Sequence, residues 1–168
     1  MFSLSFRKLA LAGFLACALA MAFALYLQYV EGQQPCPLCI FQRIAMIATG
    51  LVFLVAALHA PRARGRWVYA ATAAATALVG VALAARHVWL QSLPPDQIPA
   101  CGPSLDYLLQ ILPVTQVIQL VFNGDGSCAK ITSTVFGVSL PLWTLIAFSG
   151  LAIYALAQPG LARIAESR

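Results

Sequence analysis

The stretch LALAGFLACALAMAFALYL, residues 9–27, decides the fold of this chain. It contains no charged side chain, and about 20 consecutive apolar residues in a helix are enough to cross the hydrocarbon core of a membrane. Three similar stretches follow at about residues 40–58, 67–90 and 140–157. The sequence therefore predicts four transmembrane helices, and the backbone hydrogen bonds of each are satisfied internally.

The composition excludes an ordinary soluble domain. Of the 168 residues, 61% are hydrophobic and 9% are charged, whereas soluble domains carry about 25% charged residues. No stretch shows the alternating pattern that is typical of barrel strands. We therefore expect an all-α membrane protein in which residues 1–168 form a single four-helix bundle. The formal net charge of +5 does not indicate a nucleic-acid partner, because the basic residues form no soluble basic face.

Seven of the ten basic residues lie on one side of the predicted membrane. They precede the first span, fill the loop between the second and third spans, and follow the fourth. These residues are Arg7, Lys8, Arg62, Arg64, Arg66, Arg163 and Arg168. The positive-inside rule assigns that side, with both termini, to the cytoplasm. The loops at about residues 28–38 and 91–139 then face outward. We expect this lipid-embedded protein in the bacterial inner membrane, where the outward side is the periplasm.

The long outward loop is predicted to carry a short amphipathic helix. Ser104 is a suitable N-cap, and leucines follow at spacings of three and four residues. These are Leu105, Leu108, Leu109 and Leu112. A helix of this kind lies either on the outer membrane surface or folded onto the end of the bundle. Pro113 ends it, and a second apolar stretch follows at residues 114–122.

The cysteines are sorted by their position in the predicted topology. The chain has five. Cys36, Cys39, Cys101 and Cys128 fall in or beside the outward loops, where an oxidising compartment lets disulfides persist. Cys17 lies inside the first span, and we expect an inert buried thiol there because apolar surroundings disfavour a thiolate. The spacing alone leaves the pairing of the four outward cysteines open.

The first two outward cysteines form a Cys-x-x-Cys motif at the mouth of the second span. Pro37 suits the first turn of a helix, and the helix N-terminus favours a thiolate because it carries partial positive charge. Arg43 lies one turn beyond Cys39 on the same face. An arginine at the edge of a bilayer is a candidate functional residue, although snorkelling to the headgroups is the alternative. Taken alone, the motif also fits a static bridge or half of a metal site.

Cys101 and Cys128 stand 27 residues apart in the long loop. A bridge between them would close a large loop and add on the order of 3–4 kcal/mol as a structural staple. An exposed and mobile bridge is also the kind that takes part in thiol–disulfide exchange.

A histidine near the outward end of the third span is a further candidate. His87 either donates to a buried carbonyl and moves a proton near neutral pH, or faces water at the interface. Gln91 follows four residues later, on the same face if the helix continues.

These residues together resemble the disulfide-bond formation protein B family, DsbB. The most specific stretch is PCPLCIFQR, residues 35–43, which is close to the family block P-C-x-L-C-I-[YF]-x-R. HVWLQ at residues 87–91 matches the H-x-x-x-Q approach to the third cysteine, ten residues ahead of Cys101. GSCA at residues 126–129 and LPLW at residues 140–143 fit the region that leads into the last helix. One departure is Gln42, because family members often carry an acidic residue there.

The resemblance implies a protein-dithiol:quinone oxidoreductase with four spanning helices and two outward cysteine pairs. Cys36 and Cys39 would form the membrane-proximal pair that reduces a quinone, either ubiquinone or menaquinone. Cys39 would supply the thiolate beside the quinone ring. Arg43 would assist as a cation and hydrogen-bond donor, and His87 would lie near the quinone.

The resemblance also implies the soluble partner. A reduced thioredoxin-fold protein of the periplasm, DsbA-like, would attack Cys101 and form a mixed disulfide. Cys128 would be released and would then attack Cys36, which links the two loops. Electrons would flow from the partner, through both pairs, to the membrane quinone pool.

Three alternatives fit parts of the pattern. Another thiol–quinone enzyme, resembling the vitamin K epoxide reductases, would place the quinone-side motif late in the chain. A membrane metal-binding or transport protein would use four thiolates, as zinc accepts. The 27-residue spacing of the second pair and the nearby Arg43 oppose it, and we expect no metal ion. A structural scaffold with two staples leaves Arg43 and His87 unexplained.

Overall fold

The computed structural model describes residues 5–98, 105–123, 126–129, 134–135 and 137–166. Four long helices dominate this part of the chain, and each is long and apolar enough to cross a membrane. They are α1 (Phe6–Tyr29), α2 (Pro37–His59), α3 (Ala63–Gln91) and α7 (Leu140–Glu166). The predicted class, an all-α membrane protein with four spanning helices, is confirmed.

The segment between α3 and α7 holds the short elements. A 3₁₀ turn at Pro95–Gln97 comes first, and three short helices and two strands follow. They are α4 (Leu105–Ile111), α5 (Val114–Asn123), α6 (Gly126–Ala129), β1 (Thr134–Val135) and β2 (Val138–Ser139). The strands pair antiparallel, with Thr134 opposite Ser139 and Val135 opposite Val138. Gly137 has a φ of 77°, a left-handed conformation that glycine adopts at little steric cost in so tight a turn.

The helix predicted around Leu108 is confirmed as α4. The apolar stretch after Pro113 forms a further helix, α5, which the sequence pattern had not assigned. Leu108 and Val117 are buried in the same apolar cluster as Leu38 of α2 and Leu90 of α3. The two short helices therefore fold onto the end of the bundle, which is the second of the two placements considered. Ser104, the predicted N-cap, lies outside the described residues.

The four long helices pack in a ring in the order α1, α2, α3, α7, and α7 closes against α1. The contact between α3 and α7 depends on small residues. Ala70, Ala73, Ala74, Ala77 and Gly80 of α3 are buried. A Cβ added to Gly80 would lie 2.3 Å from a ring atom of Phe148, so the aromatic ring packs directly on the α3 backbone. Apolar side chains gain no hydrophobic free energy when they leave lipid for another helix, so helix association in a membrane depends on close packing. Small residues allow that close approach.

Cys17 lies in the contact between α1 and α2. Its side chain is buried, and its Cβ atom would lie 3.1 Å from a Cβ added to Gly50. The expected burial of this cysteine in the first span is confirmed.

The connections bring the chemically reactive residues to one end of the ring. The chain enters α2 at Cys36, and it leaves α3 four residues after His87. Helix α6, which carries Cys128, packs against α3. Because α2 begins and α3 ends on the same side of the bundle, these three residues share one end of the fold.

Candidate functional site

The Cys-x-x-Cys motif opens α2. Cys36 is the N-cap and has an extended backbone, with Pro37 at the first helical position. The backbone N–H of Cys39 donates to Cys36 Sγ at 3.4 Å, as a helix N-terminus requires of its cap. The two sulfur atoms lie 3.2 Å apart, and both cysteines are half-buried free thiols. The predicted position of the motif at the mouth of the second span is therefore found.

A third thiol reaches this pair from the long loop. Cys128 is buried in α6 and is also a free thiol. Its Sγ, the Sγ of Cys36 and a ring nitrogen of His87 all lie within 4.8 Å of one another. Cys36 thus contacts Cys39 on its own helix and Cys128 from the other loop. Cys101 lies outside the described residues.

His87 is buried against these thiols, with 2% of its surface exposed. Its Nε2 lies 3.1 Å from the backbone carbonyl oxygen of Cys128 and 3.8 Å from Cys36 Sγ. A carbonyl oxygen only accepts hydrogen bonds, so Nε2 carries a proton and donates it. Of the two placements considered for His87, the structure has the bond to a buried carbonyl and not the water-facing position.

Gln42 is the residue that the sequence reasoning missed. Its side chain is 5% exposed, and its Nε2 lies 3.2 Å from Nδ1 of His87. A polar residue in an apolar helix, three positions after Cys39, is a signal in itself, because unpaired amides are costly in a membrane interior. The sequence could not show that its partner would be a histidine of another helix.

Arg43 is held by the neighbouring helix α1. Its guanidinium donates to the side-chain oxygen of Gln28 and, at 3.1 Å, to the carbonyl oxygen of Ala24. These bonds place the guanidinium in the contact between α1 and α2, beside the last turns of α1. Arg43 therefore contacts α1, whereas His87 contacts α2 and α6. The described contacts do not bring the two residues together.

The thiols differ in their tendency to ionise. The hydrogen bond from Cys36, helped by a backbone N–H of Leu38, lowers the pKa of Cys128 to about 7. The same bond to Cys128, with a second one to Cys39 and with burial, raises the pKa of Cys36 above its usual range. Negative charge in the reduced cluster is therefore carried by Cys128 in preference to Cys36, because Cys36 is the common proton donor.

The donor atoms of this cluster have more than one possible use. Cys36, His87 and Cys128 each offer one atom within the 4.8 Å range that a metal ion would need. Cys39 and Arg43, one helical turn apart, offer a thiol and a cation near the start of α2. Geometry by itself permits both thiol exchange and metal binding.

Comparison with known proteins decides the family. The sequence model of the family described as Disulfide bond formation protein DsbB matches residues 6–158. The chain belongs to the DsbB family. It is 49% identical over 157 residues to a disulfide bond formation protein B of Nitrosococcus oceani, covering 94% of this chain and 93% of that protein. A protein of the same name from Hahella chejuensis is 53% identical over 145 residues, covering 86% and 88% of the two chains.

A third relative extends the same picture. The disulfide bond formation protein B of Chromohalobacter salexigens is 50% identical over 154 residues, covering 91% of this chain and 90% of that protein. The chain is thus a multi-pass membrane protein of a disulfide-forming oxidoreductase family. The resemblance noted from PCPLCIFQR and HVWLQ is confirmed. Of the predicted site residues, the structure gathers Cys36, Cys39, Cys128 and His87, whereas the described contacts of Arg43 go to α1.

Proposed function

We propose that this chain is an inner-membrane protein-dithiol:quinone oxidoreductase that reoxidises a DsbA-like thioredoxin-fold partner. The observation that carries the proposal is the position of Cys36 Sγ, 3.2 Å from Cys39 Sγ and within 4.8 Å of Cys128 Sγ. A sulfur atom with one thiol on each side is what a relay between two disulfides needs, because exchange requires one sulfur to attack while another leaves.

The relay starts at the outer pair, Cys101 and Cys128. A thiolate of the partner attacks Cys101, so that a partner–Cys101 bond forms, the Cys101–Cys128 bond breaks, and Cys128 leaves as a thiolate. The second thiol of the partner then displaces Cys101, and the partner departs oxidised. Two electrons have entered the chain at this point, and both are held as thiols of the outer pair.

The next exchange passes these electrons inward. The Cys128 thiolate attacks Cys36, so that a Cys128–Cys36 bond forms, the Cys36–Cys39 bond breaks, and the electron pair leaves on Cys39. Cys101 then attacks Cys128, which restores the outer disulfide and releases Cys36. The outer pair ends oxidised and the inner pair reduced, so electrons and protons balance. In this step Cys36 carries no proton to donate, and the backbone N–H of Leu38 is a group that favours the attacking Cys128 thiolate.

The residues at the head of α2 fit a quinone. Cys39 is half-buried at the membrane edge. The guanidinium of Arg43 has five N–H groups, of which two make hydrogen bonds to described residues, so others are left for a quinone oxygen. Arg43 would hold that oxygen and stabilise negative charge on it. A bound quinone, either ubiquinone or menaquinone, supplies a two-electron, two-proton acceptor and leaves Cys36 and Cys39 as a disulfide.

The same proposal fixes the orientation. Both termini would lie in the cytoplasm with the basic segments, because such residues are retained on that side. Cys36, Cys39 and Cys128, at the other end of the bundle, would then face the periplasm, where the soluble partner is found. The quinone pool and the membrane lipid would surround α1 and α2.

A quinone assay tests the proposal. The purified protein in detergent is mixed with a reduced thioredoxin-fold dithiol protein and a water-soluble quinone, and the loss of quinone absorbance is followed. We expect turnover with the native chain and none with Cys39→Ser. Turnover by Cys17→Ala should equal that of the native chain, because this buried thiol takes no part. No quinone loss with the native chain, or equal loss with Cys39→Ser, contradicts the proposal.

The metal-binding alternative has one observation in its favour, which is the spacing of Cys36, His87 and Cys128. The same preparation, reduced and free of quinone, is therefore titrated with zinc against a chromophoric chelator. Tight stoichiometric binding that needs all four outward cysteines, together with no quinone loss, would favour that alternative. The charge of Arg43 still opposes a bound cation, because its described hydrogen bonds go to neutral groups of α1, the side-chain oxygen of Gln28 and the carbonyl oxygen of Ala24.

A further inference from the structure

A chain of two hydrogen bonds joins α2, α3 and α6 behind the thiols. Gln42 of α2 contacts Nδ1 of His87 at 3.2 Å, and Nε2 of His87 contacts the carbonyl oxygen of Cys128 at 3.1 Å. All three residues are buried. Neither bond involves an atom that exchanges electrons, so the role of this chain of bonds lies in holding other groups in place.

The hydrogen-bond partners of His87 determine which of its ring nitrogens carries hydrogen. Because the carbonyl oxygen of Cys128 only accepts, Nε2 of His87 must carry hydrogen. When the ring is neutral, Nδ1 has a lone pair, and the amide N–H of Gln42 donates to it. When the ring is protonated, rotation of the amide presents the Gln42 oxygen instead. A glutamine therefore keeps the Nε2–H bond to Cys128 intact in either state of the ring.

An apolar side chain at position 42 would leave Nδ1 buried without a partner, which is costly in an apolar setting. The ring would then be held at Nε2 alone, and it could rotate away from the carbonyl oxygen of Cys128.

The consequence reaches the sulfur atoms. Helix α6 is one turn long, from Gly126 to Ala129, and a helix that short has little stability of its own. The bond from His87 anchors its backbone at the very residue whose sulfur must meet Cys36. A looser anchor would leave Cys128 Sγ in the attacking position for a smaller fraction of the time.

We propose that Gln42 is a positioning residue, which holds the ring of His87 by a hydrogen bond at Nδ1 and thereby holds Cys128 against Cys36 for disulfide exchange. The inference rests on the proposed function, since it assigns Gln42 to the step in which the Cys128–Cys36 bond forms and the Cys36–Cys39 bond breaks. Its test, however, needs neither the thioredoxin-fold partner nor a quinone. Failure of the oxidase activity and failure of this inference are therefore separate outcomes.

The test measures how strongly the fold brings Cys36 and Cys128 together. Cys17→Ala, Cys39→Ser and Cys101→Ser are combined, which leaves two of the five cysteines. The full chain in detergent is equilibrated with reduced and oxidised glutathione, quenched in acid, and analysed by mass spectrometry. The equilibrium constant gives the effective concentration of one thiol at the other, and hence the potential of the Cys36–Cys128 disulfide.

Three substitutions, two at Gln42 and one at Gln116, test the inference. Gln42→Leu should lower the effective concentration about fivefold to tenfold, the effect of losing one hydrogen bond. Gln42→Glu should stay close to the parent, because a protonated carboxyl donates to Nδ1 of the neutral ring and a carboxylate accepts from Nδ1–H of a ring that has taken up that proton, so Nε2–H stays on the carbonyl in both cases. Gln116→Leu, at an exposed position of α5, should have no effect. Equal values for Gln42→Leu and the parent, or equal losses for Gln42→Leu and Gln42→Glu, overturn the inference.

A second measurement applies even if Gln42→Leu does not fold. The chain has two histidines, so the ring nitrogen resonances of His87 can be assigned with a His59→Gln variant. At alkaline pH the native protein should show the tautomer protonated at Nε2. A neutral ring protonated at Nδ1 would contradict the inference directly, because that ring cannot donate to Cys128.

Discussion

Nε2 of His87 donates a hydrogen bond to the backbone carbonyl oxygen of Cys128, over 3.1 Å. The two residues stand 41 positions apart, and the bond joins the last turns of a spanning helix, α3, to a short helix of the long loop, α6. A histidine in a redox site is therefore engaged with a backbone group, and its second nitrogen is engaged with Gln42.

Replacement of His87 by leucine should slow electron transfer from the thioredoxin-fold partner to the quinone by about tenfold. The change leaves the buried carbonyl of Cys128 without a donor, which costs about 1–3 kcal/mol, and part of that cost loosens Cys128. The measurement is the rate of quinone loss in a single turnover after mixing with the reduced partner. His59→Leu, at the opposite end of α2, is the control. A rate for His87→Leu equal to that of the control contradicts the role assigned to the bond.

The reduced protein should show one thiol that ionises near pH 7. The pKa of Cys128 is lowered to about 7, first by the hydrogen bond from Cys36. Its thiolate is therefore present above that pH and is lost as the pH falls through 7. Ultraviolet absorbance of the thiolate, measured on the chain that retains only Cys36 and Cys128, follows the titration.

The matched comparison removes Cys36, the donor of the hydrogen bond that lowers the pKa of Cys128. Adding Cys36→Ala to that chain should move the ionisation upward, toward or beyond the usual cysteine value of about 8.5, because the lowering bond is gone while burial remains. An unchanged midpoint would mean that Cys36 does not stabilise the Cys128 thiolate.

Arg43→Lys should raise the KM for quinone about tenfold, and partner oxidation in a single turnover should be unaffected. Lysine keeps the charge but cannot donate from a planar fork to both α1 and a quinone oxygen. Steady-state kinetics with varied quinone give the KM. Arg86→Lys is a matched control, since the Arg86 guanidinium stacks 4.1 Å from the ring of Trp89 on α3. A similar increase in both variants would contradict a specific role for the Arg43 guanidinium.

Gly80→Leu should destabilise the bundle by about 1–3 kcal/mol or more, the usual cost of overpacking. Even a Cβ at this position would lie 2.3 Å from the Phe148 ring, so α3 and α7 would have to separate. Thermal unfolding in detergent, followed by circular dichroism, measures the effect. Gly150→Leu on α7 is the control, because nothing lies within 4 Å of a Cβ there. Equal melting temperatures for the two variants would contradict the packing described.

The sequence was sufficient for features that depend on composition and local order. Four apolar stretches predicted four spanning helices, since a membrane leaves few other solutions for a backbone. The placement of Cys36 at the mouth of α2 followed from Pro37, which favours a first helical turn. The short helix α4 followed from the spacing of its leucines. These signals lie within about one element of the residues that they describe.

The contacts between helices could not be predicted from the sequence. Gln42 and Arg43 are neighbours in the chain, yet one contacts α3 and the other α1. Their directions depend on how α2 is rotated about its axis, and the small residues of its neighbours decide that rotation. The docking of α6 beside His87 likewise depends on a loop too long for its path to follow from residue spacing. Sequence reasoning therefore named His87 and Arg43 but could not give their partners.

The burial of Cys17 between α1 and α2 has a consequence for fidelity. In a protein that transfers electrons by thiol–disulfide exchange, an additional thiol that reaches the reactive cysteines forms an unproductive disulfide. Here the fifth cysteine is sealed in a helix contact beside Gly50, away from the end of the bundle where Cys36, Cys39 and Cys128 meet. The fold thus keeps this thiol away from disulfide exchange. A change that opened the helix contact at Gly50 would expose Cys17 before it disturbed the reactive cysteines.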